Sequence, residues 1–268
     1  MQMKFCPLYS GSSGNASLIM YRDTRILVDC GKSGIQIDEA MQFIGEKAAD
    51  LDAILVTHEH HDHVAGIGVM ARRYKIPIYA THETWNAMPA GIGKIPDGLK
   101  REFVIGEDFY IRNLGIDSFR ISHDAADPCA FRLWGGNHSV SIVTDLGYMP
   151  EKVKDAVSGS SLILLESNYD PDLLHANEHY RYALKQRIEG RRGHLSNQDC
   201  ARCLTELVET GCSNFIIGHL SGENNTPDLA YRINATQLEL EGMQIGKDVR
   251  LGVAWRDRVG NVYSIDQN

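Results

Sequence analysis

Residues 58–63 read His-Glu-His-His-Asp-His, and four of them fit the spacing H-x-H-x-D-H: His58, His60, Asp62 and His63. Three imidazoles and a carboxylate crowded so closely are costly unless a cation holds them. Imidazole nitrogen together with carboxylate oxygen suits Zn2+, Mn2+ or Fe2+. The preceding run, Asp52-Ala-Ile-Leu-Val-Thr57, is apolar and strand-like, and a helical pattern follows over 64–74. The cluster therefore belongs in a strand-to-helix loop, where side chains converge on one point. A six-residue motif cannot close a dinuclear site, so more ligands must come from elsewhere, and strand ends are where ligands sit.

The rest of the chain supplies such ends. Strand-type runs fall at 16–22, 25–30, 52–56 and 77–80, with helical patterns at 35–47 and 64–74. A second block of strands covers 108–113, 118–122, 130–134, 140–144 and 161–165. Helices are expected over 178–189 and 196–210, the second opened by Ser196 as N-cap with Asp199 in its first turn. A strand at 214–217, a helix at 229–241 and a terminal hairpin pairing 251–255 with 262–265 through a turn containing Gly260 complete the reading. There is no internal repeat or low-complexity tract. Two strand-rich halves, each followed by helices, predict an α/β fold of αββα type. Two sheets pack face to face with helices outside, in a single domain over 1–268.

Composition excludes some partners. No stretch approaches the ~20 apolar residues of a membrane helix, and no signal peptide is read at the N-terminus. The six cysteines, Cys6, Cys30, Cys129, Cys200, Cys203 and Cys212, lack a secreted spacing pattern, which predicts reduced thiols and a cytoplasmic protein. Cys200-x-x-Cys203 lies inside a helical pattern and reads as buried apolar packing. The net charge of −8 argues against broad electrostatic capture of nucleic acid. It leaves a nuclease open, because a metal pair adds local positive charge. A basic stretch (Lys185, Arg187, Arg191, Arg192) reads equally as a solvated helix face.

Three metal-capable residues follow separate apolar strands: His123 after 118–122, Asp145 after 140–144 and His219 after 214–218. With the first cluster present, that joint placement points to ligands rather than to three unrelated polar caps. The order H-x-H-x-D-H, His, Asp, His resembles the metallo-β-lactamase superfamily. The resemblance covers nearly the whole chain, including Ser10-Gly-Ser-Ser-Gly-Asn15 and Ile26-Leu-Val-Asp-Cys-Gly31. Within the superfamily the chain is most similar to the YycJ/WalJ-type hydrolases, with features of tRNase Z and of PhnP-type phosphodiesterases. The resemblance implies two divalent ions (Zn, Mn or Fe). His58, His60 and His123 would hold one, Asp62, His63 and His219 the other, and Asp145 would bridge ions about 3.5–4 Å apart. It also implies that Asp29 orients a ligand histidine. His61 falls at the variable position and stays outside the set. His82, His138, His175 and His179 read as surface or supporting residues.

Such a site implies attack by a metal-bridging hydroxide but leaves the substrate open. Glu166-Ser-Asn and Gly193-His194-Leu-Ser196 resemble the tRNase Z and phosphodiesterase pattern, in which a histidine before a helix reaches the scissile phosphate. His194 would protonate the leaving alkoxide, and a neighbouring carboxylate would favour its charged form. Glu166 is the candidate partner, with Asp170, Asp172 and Glu178 as alternatives. Asp62, His194 and Glu166 are thus the candidate catalytic residues. The substrate expected is a phosphodiester, with DNA or RNA ends in view and 5′→3′ exonuclease action implied by the resemblance. A small-molecule phosphodiesterase, or an ester, thioester or lactone hydrolase on the same site, is the alternative. Asn224 and Asn225 read as turn residues, and 10–15 as a tight hairpin. A redox diiron centre is disfavoured by His60, and a silent binding module by the intact ligand set.

Overall fold

The apolar runs pair into two seven-stranded sheets in a computed structural model that describes residues 2–265. The first half of the chain supplies β1 (Met3–Tyr9), β2 (Ala16–Tyr21), β3 (Thr24–Val28), β4 (Ala53–Leu55), β5 (Ile78–Ala80) and β6 (Lys100–Glu102). The second supplies β7 (Phe109–Ile111), β8 (Leu114–Arg120), β9 (Cys129–Gly135), β10 (His138–Val143), β11 (Leu162–Glu166), β12 (Asn214–Gly218) and β13 (Arg250–Val253). A last strand, β14 (Tyr263–Ile265), returns to the first sheet. The orders are β14-β1-β2-β3-β4-β5-β6 and β13-β12-β11-β10-β9-β8-β7.

Each sheet opens with antiparallel hairpins and continues with parallel pairs, from β3 to β6 and from β10 to β13. Most of the parallel connections carry helices. The first half contributes α1 (Gly34–Phe43), α2 (His61–Val64), α3 (Ile67–Tyr74) and α4 (His82–Ala87). The second contributes α5 (Glu151–Val157), α6 (Pro171–Ala176), α7 (Tyr182–Glu189), α8 (Asn197–Glu209) and α9 (Pro227–Leu240).

Strand alternation sorts neighbours onto opposite faces. Phe5, Ile26 and Leu55 meet Phe131, Leu133 and Leu164 between the sheets. Leu27 and Ile54 face outward against Ile37 and Met41 of α1 and Ile67 of α3. On the other side, Ile163, Leu165 and Ile217 pack on Leu204, Leu207 and Leu238 of α8 and α9. Each fully buried Leu, Ile or Phe contributes about 1.5–3 kcal/mol. The result is the αββα sandwich expected from the sequence. Its strand directions matter for function: β1, β3 and β4 run one way, as do β8, β10, β11, β12 and β13, so their C-terminal ends crowd one edge.

Two readings of the chain need correction, and one strand goes unread. The terminal hairpin does not form: β13 pairs in parallel with β12, whereas β14 pairs antiparallel with β1 in the other sheet. The intervening segment crosses between sheets, held where Gly260 N donates to Pro7 O at 3.0 Å. β1 escapes notice because it is buried at every position but Lys4, leaving no alternation to read, and Pro7 lies at an irregularity of its pairing with β2. The helix expected over 178–189 begins only at Tyr182. Asn177 Oδ1 instead accepts from the backbone of His179 and Tyr180, a turn that competes with the helix.

Candidate metal centre

Asp29 leaves β3 in the left-handed region, at φ +61°. Such strain costs roughly 1–3 kcal/mol for a non-glycine residue, and four contacts offset it. Its backbone N–H donates to Leu55 O at 2.8 Å. Its carboxylate accepts from Thr57 N at 2.9 Å, from Thr57 Oγ1 at 2.9 Å, and from His63 Nδ1 at 2.8 Å. Thr57 Oγ1 in turn lies 3.0 Å from His58 Nδ1. These partners place the protons of His58 and His63 on Nδ1 and turn both Nε2 atoms toward the sheet edge. His60 caps α2, the short helix that carries Asp62 and His63.

The second sheet answers with residues at its own strand ends. Asp145 and His219 also take left-handed φ values, +63° and +53°, the first separated from the end of β10 by one residue and the second directly after β12. His219 N donates to Ser10 Oγ at 2.9 Å, and His219 Nδ1 donates to Glu166 Oε1 at 2.6 Å. His123 Nδ1 donates to Gly193 O at 3.2 Å, so its Nε2 is bare and lies 3.3 Å from His60 Nδ1.

The free atoms converge. His58 Nε2, His219 Nε2 and Asp145 Oδ2 are buried without a hydrogen-bond partner, an arrangement that costs roughly 1–3 kcal/mol per group if left so. Asp145 Oδ2 sits 3.2 Å from His63 Nε2 but outside hydrogen-bond geometry. Four groups of side chains bring ligand atoms within 4.8 Å of one another, among them His58–His60–His123 and Asp62–His63–His219. Asp145 stands between these two, its Oδ1 3.7 Å from His123 Nε2 and 3.5 Å from His219 Nε2. The donor set, five imidazoles with two carboxylates, fits a divalent transition metal.

The charge balance fits as well. Burial pushes His58 well below its ordinary value, and His63 adds to it. Burial likewise lowers His123. Burial also opposes charge on His63 and His219. Asp145, Asp29 and Asp62 nevertheless hold His63 well above the usual imidazole range, and Asp145, Asp62 and Glu166 push His219 up to about 10. Asp145 stays well below the usual carboxylate range despite its burial because His219 and His63 face it. The carboxylates therefore demand positive charge here, and a cation at the Nε2 atoms would supply it in place of protons.

Above the centre opens a cavity of about 390 Å³, walled in part by His60, Asp62, His123, Asp145, His194 and His219. His194 enters through a turn only glycine allows, since a Cβ at Gly193 would lie 2.1 Å from Ile188 O. Its Nδ1 lies 2.8 Å from Glu166 Oε1, while Glu166 Oε2 accepts from Leu146 N and Leu195 N. Although burial opposes its ionisation, His194 and His219 hold the Glu166 carboxyl at about 2. Of the other acids considered for His194, Asp170 caps α6 instead. The helix after His194 starts as read, with Ser196 Oγ accepting from Asp199 N.

His61 is exposed at the start of α2, and His82, His138, His175 and His179 join none of the four groups. His175 pairs with Glu189 at the surface. The hairpin at 10–15 is closed by Asn15, whose Oδ1 accepts from Gly11 N at 2.9 Å. Sequence reasoning missed several supports. Thr57 links Asp29 to two histidines, Asn15 Nδ2 lies 3.1 Å from His63 Nε2, and Asn168 Nδ2 donates to His219 O at 2.7 Å. Thr57 and Asn15 are polar residues at strand ends beside the motifs, which was the available signal; nothing in the spacing singles out Asn168.

The β-lactamase superfamily domain matches residues 24–211. The chain is 37% identical to exodeoxyribonuclease WalJ of Streptococcus pneumoniae over 250 residues, covering 92% of this chain and 93% of that one. It is 34% identical to exodeoxyribonuclease YycJ of Bacillus anthracis over 247 residues, covering 92% and 93%. Among solved structures, the metallo-β-lactamase fold protein YhfI from Bacillus subtilis superposes with a TM-score of 0.74 at 19% identity, covering 98% of this chain and 100% of that one.

Proposed function

The chain belongs to the β-lactamase superfamily, in the branch of WalJ and YycJ, and is a metal-dependent hydrolase; we propose that it is a dinuclear phosphodiesterase that degrades DNA from its ends. The observation that carries this reading is the Glu166–His194 pair, 2.8 Å apart, at the wall of a cavity floored by the two His/Asp groups. His58, His60 and His123 would hold one ion, Asp62, His63 and His219 the other, with Asp145 shared. Bound there, divalent ions supply an activated water at neutral pH and neutralise charge on the phosphate.

The chain's own residues do the rest. Phosphodiester cleavage expels an alkoxide, which His194 protonates. Glu166 Oε1 holds His194 Nδ1 and leaves Nε2 for the substrate. The same oxygen holds His219, so one carboxylate sets both the proton donor and a metal-binding ring. Asp62, the more exposed of the two carboxylates in the set, faces the cavity where substrate enters.

DNA as the substrate is supported by the names of the two similar exodeoxyribonucleases. A small phosphodiester is the second reading, favoured by the modest volume of the cavity. The test offers metal-loaded protein 5′-labelled single- and double-stranded DNA, RNA, a bis-aryl phosphate, a thioester and a lactone, with Asp62→Ala as control. Metal-dependent release of nucleotides from the 5′ end is expected, and hydrolysis of the thioester or lactone alone would overturn the reading. His194→Ala should lose about 10²–10⁴-fold on a phosphodiester with a poor leaving group. It should lose far less on an activated aryl ester; equal losses on both would remove the general-acid role.

A further inference from the structure

A second groove runs on from the catalytic cavity. It has a volume of about 620 Å³ and is lined by Trp255, Arg256, Arg258 and the loop after β12, including Asn225 and Thr226. Ser221, Gly222 and Arg256 line both spaces, so Arg256 stands at their junction. This wall grows from the C-terminal end of β13, on the same edge as His219 at the end of β12. Two backbone bonds hold it: Ser10 N donates to Trp255 O at 2.9 Å, and Ala254 N to Ile217 O at 2.8 Å.

Its chemistry is that of a strand-binding surface. Trp255 is only half-buried, and the Arg258 guanidinium carbon lies 3.5 Å from its ring centroid. Neither Arg256 nor Arg258 forms an ion pair among the described residues, although Asp257 separates them in sequence and is exposed. Arg256 is laid across two glycines. A Cβ at Gly11 would sit 2.5 Å from its Cγ, and one at Gly222 would sit 1.5 Å from its Nη1. Two unpaired guanidinium groups beside an aromatic ring, in a chain of net charge −8, are a local departure from the molecule's overall sign. An aromatic face takes bases of any sequence, and guanidinium groups take backbone phosphates and stack on bases.

We propose that this groove is the track for the single DNA strand running out of the catalytic cavity, with Arg256 on the phosphate at the junction and Trp255 and Arg258 on the nucleotides beyond. The proposal deepens the nuclease reading and rests on it for the identity of the strand. Contacts beyond the cavity reward length: KM should fall at least tenfold from a dinucleotide to a dodecanucleotide.

The test uses metal-loaded, full-length protein and dT12 with phosphorothioate linkages, which is cleaved slowly enough for binding to be read. Binding should quench indole fluorescence in the wild type, and Trp255→Phe should abolish most of that quench. In Trp255→Ala and in the surface variant Arg258→Ala, the gain in KM with strand length should shrink from tenfold or more to below threefold. Quenching without cleavage would keep the groove and remove the nuclease reading. Cleavage with an unchanged length dependence in both variants would keep the nuclease and overturn the groove. Equal quench in wild type and Trp255→Phe, or tighter binding of a polyanionic protein than of dT12, would also overturn it. An RNA strand binding at least tenfold more tightly than dT12 would overturn the assignment to DNA.

Discussion

Glu166 makes four hydrogen bonds through one buried carboxylate, two from histidine Nδ1 atoms and two from backbone N–H groups. All four partners are donors, so an amide cannot replace it without setting N–H against N–H. Glu166→Gln should therefore lower turnover by 10²-fold or more and weaken metal retention by roughly 10–100-fold. Single-turnover rates and metal content after dialysis check this; unchanged values on both would show that the carboxylate only fills space. Asp29→Asn disturbs His63 and Thr57 but touches neither His194 nor the cavity. It should cost a similar factor in metal affinity, read by chelator competition, while the dependence of rate on the leaving group stays as in the wild type. A shifted leaving-group dependence in Asp29→Asn would contradict the separation of the two roles. At this scale much was legible, since His58, His60, Asp62 and His63 announce themselves by spacing, and His123, Asp145 and His219 by their places at strand ends. Asn168 was not, because a single amide has no pattern until the fold brings its partners, and Thr57 and Asn15 offered only their places at strand ends beside the motifs.

The elements hold the centre by ending together. β3, β10 and β12 each hand over to a left-handed residue, Asp29, Asp145 and His219, and that turn aims a side chain across the sheet edge. Helix α8 fixes the loop of His194 by its N-cap. Ser196→Ala should cost about 1 kcal/mol, a fall in Tm of about 2–4 °C for a chain of this size, measured by calorimetry. A loss of activity without that fall would mean that Ser196 acts in chemistry rather than in capping. The cysteines mark the core of these elements. Burial pushes Cys6 and Cys203 up to about 12, raises Cys30, and holds Cys129 and Cys200 well above the usual thiol range. None of these five should react with iodoacetamide at pH 8 until the protein unfolds; rapid labelling of Cys200 and Cys203 in the native protein would restore a redox or zinc role for that pair. Runs such as β11 and β12 were readable because their central residues are unbroken aliphatic or aromatic side chains, with no proline among them. β1 was hidden by Pro7, which a strand interior rarely carries and which lies at an irregularity of its pairing with β2. The false hairpin arose because two adjacent strands, each sound in itself, belong to different sheets, a fact of topology that local pattern does not carry.

For the whole molecule, a chain of net charge −8 carries a site proposed to accept an anion. The positive charge that would permit this is local: divalent metal held at the His/Asp centre, and guanidinium groups such as Arg187 at the cavity and Arg256 and Arg258 at its groove. A chain that contacts only two or three phosphates in this way should show a shallow salt dependence. The slope of log(kcat/KM) on DNA against log salt should be about −2, from roughly −0.7 per phosphate neutralised on a single strand. A slope of −5 or steeper would point to a broad nucleic-acid surface instead of these few contacts. We propose that two ions act together, divided between His58/His60/His123 and Asp62/His63/His219 with Asp145 between them. Titration of metal-free protein with Mn2+ or Zn2+, following DNA hydrolysis and bound metal together, tests this most directly. Activity should rise to a plateau at two ions per chain and should not develop in His123→Ala, which would retain one. Full activity at one ion per chain would contradict the account.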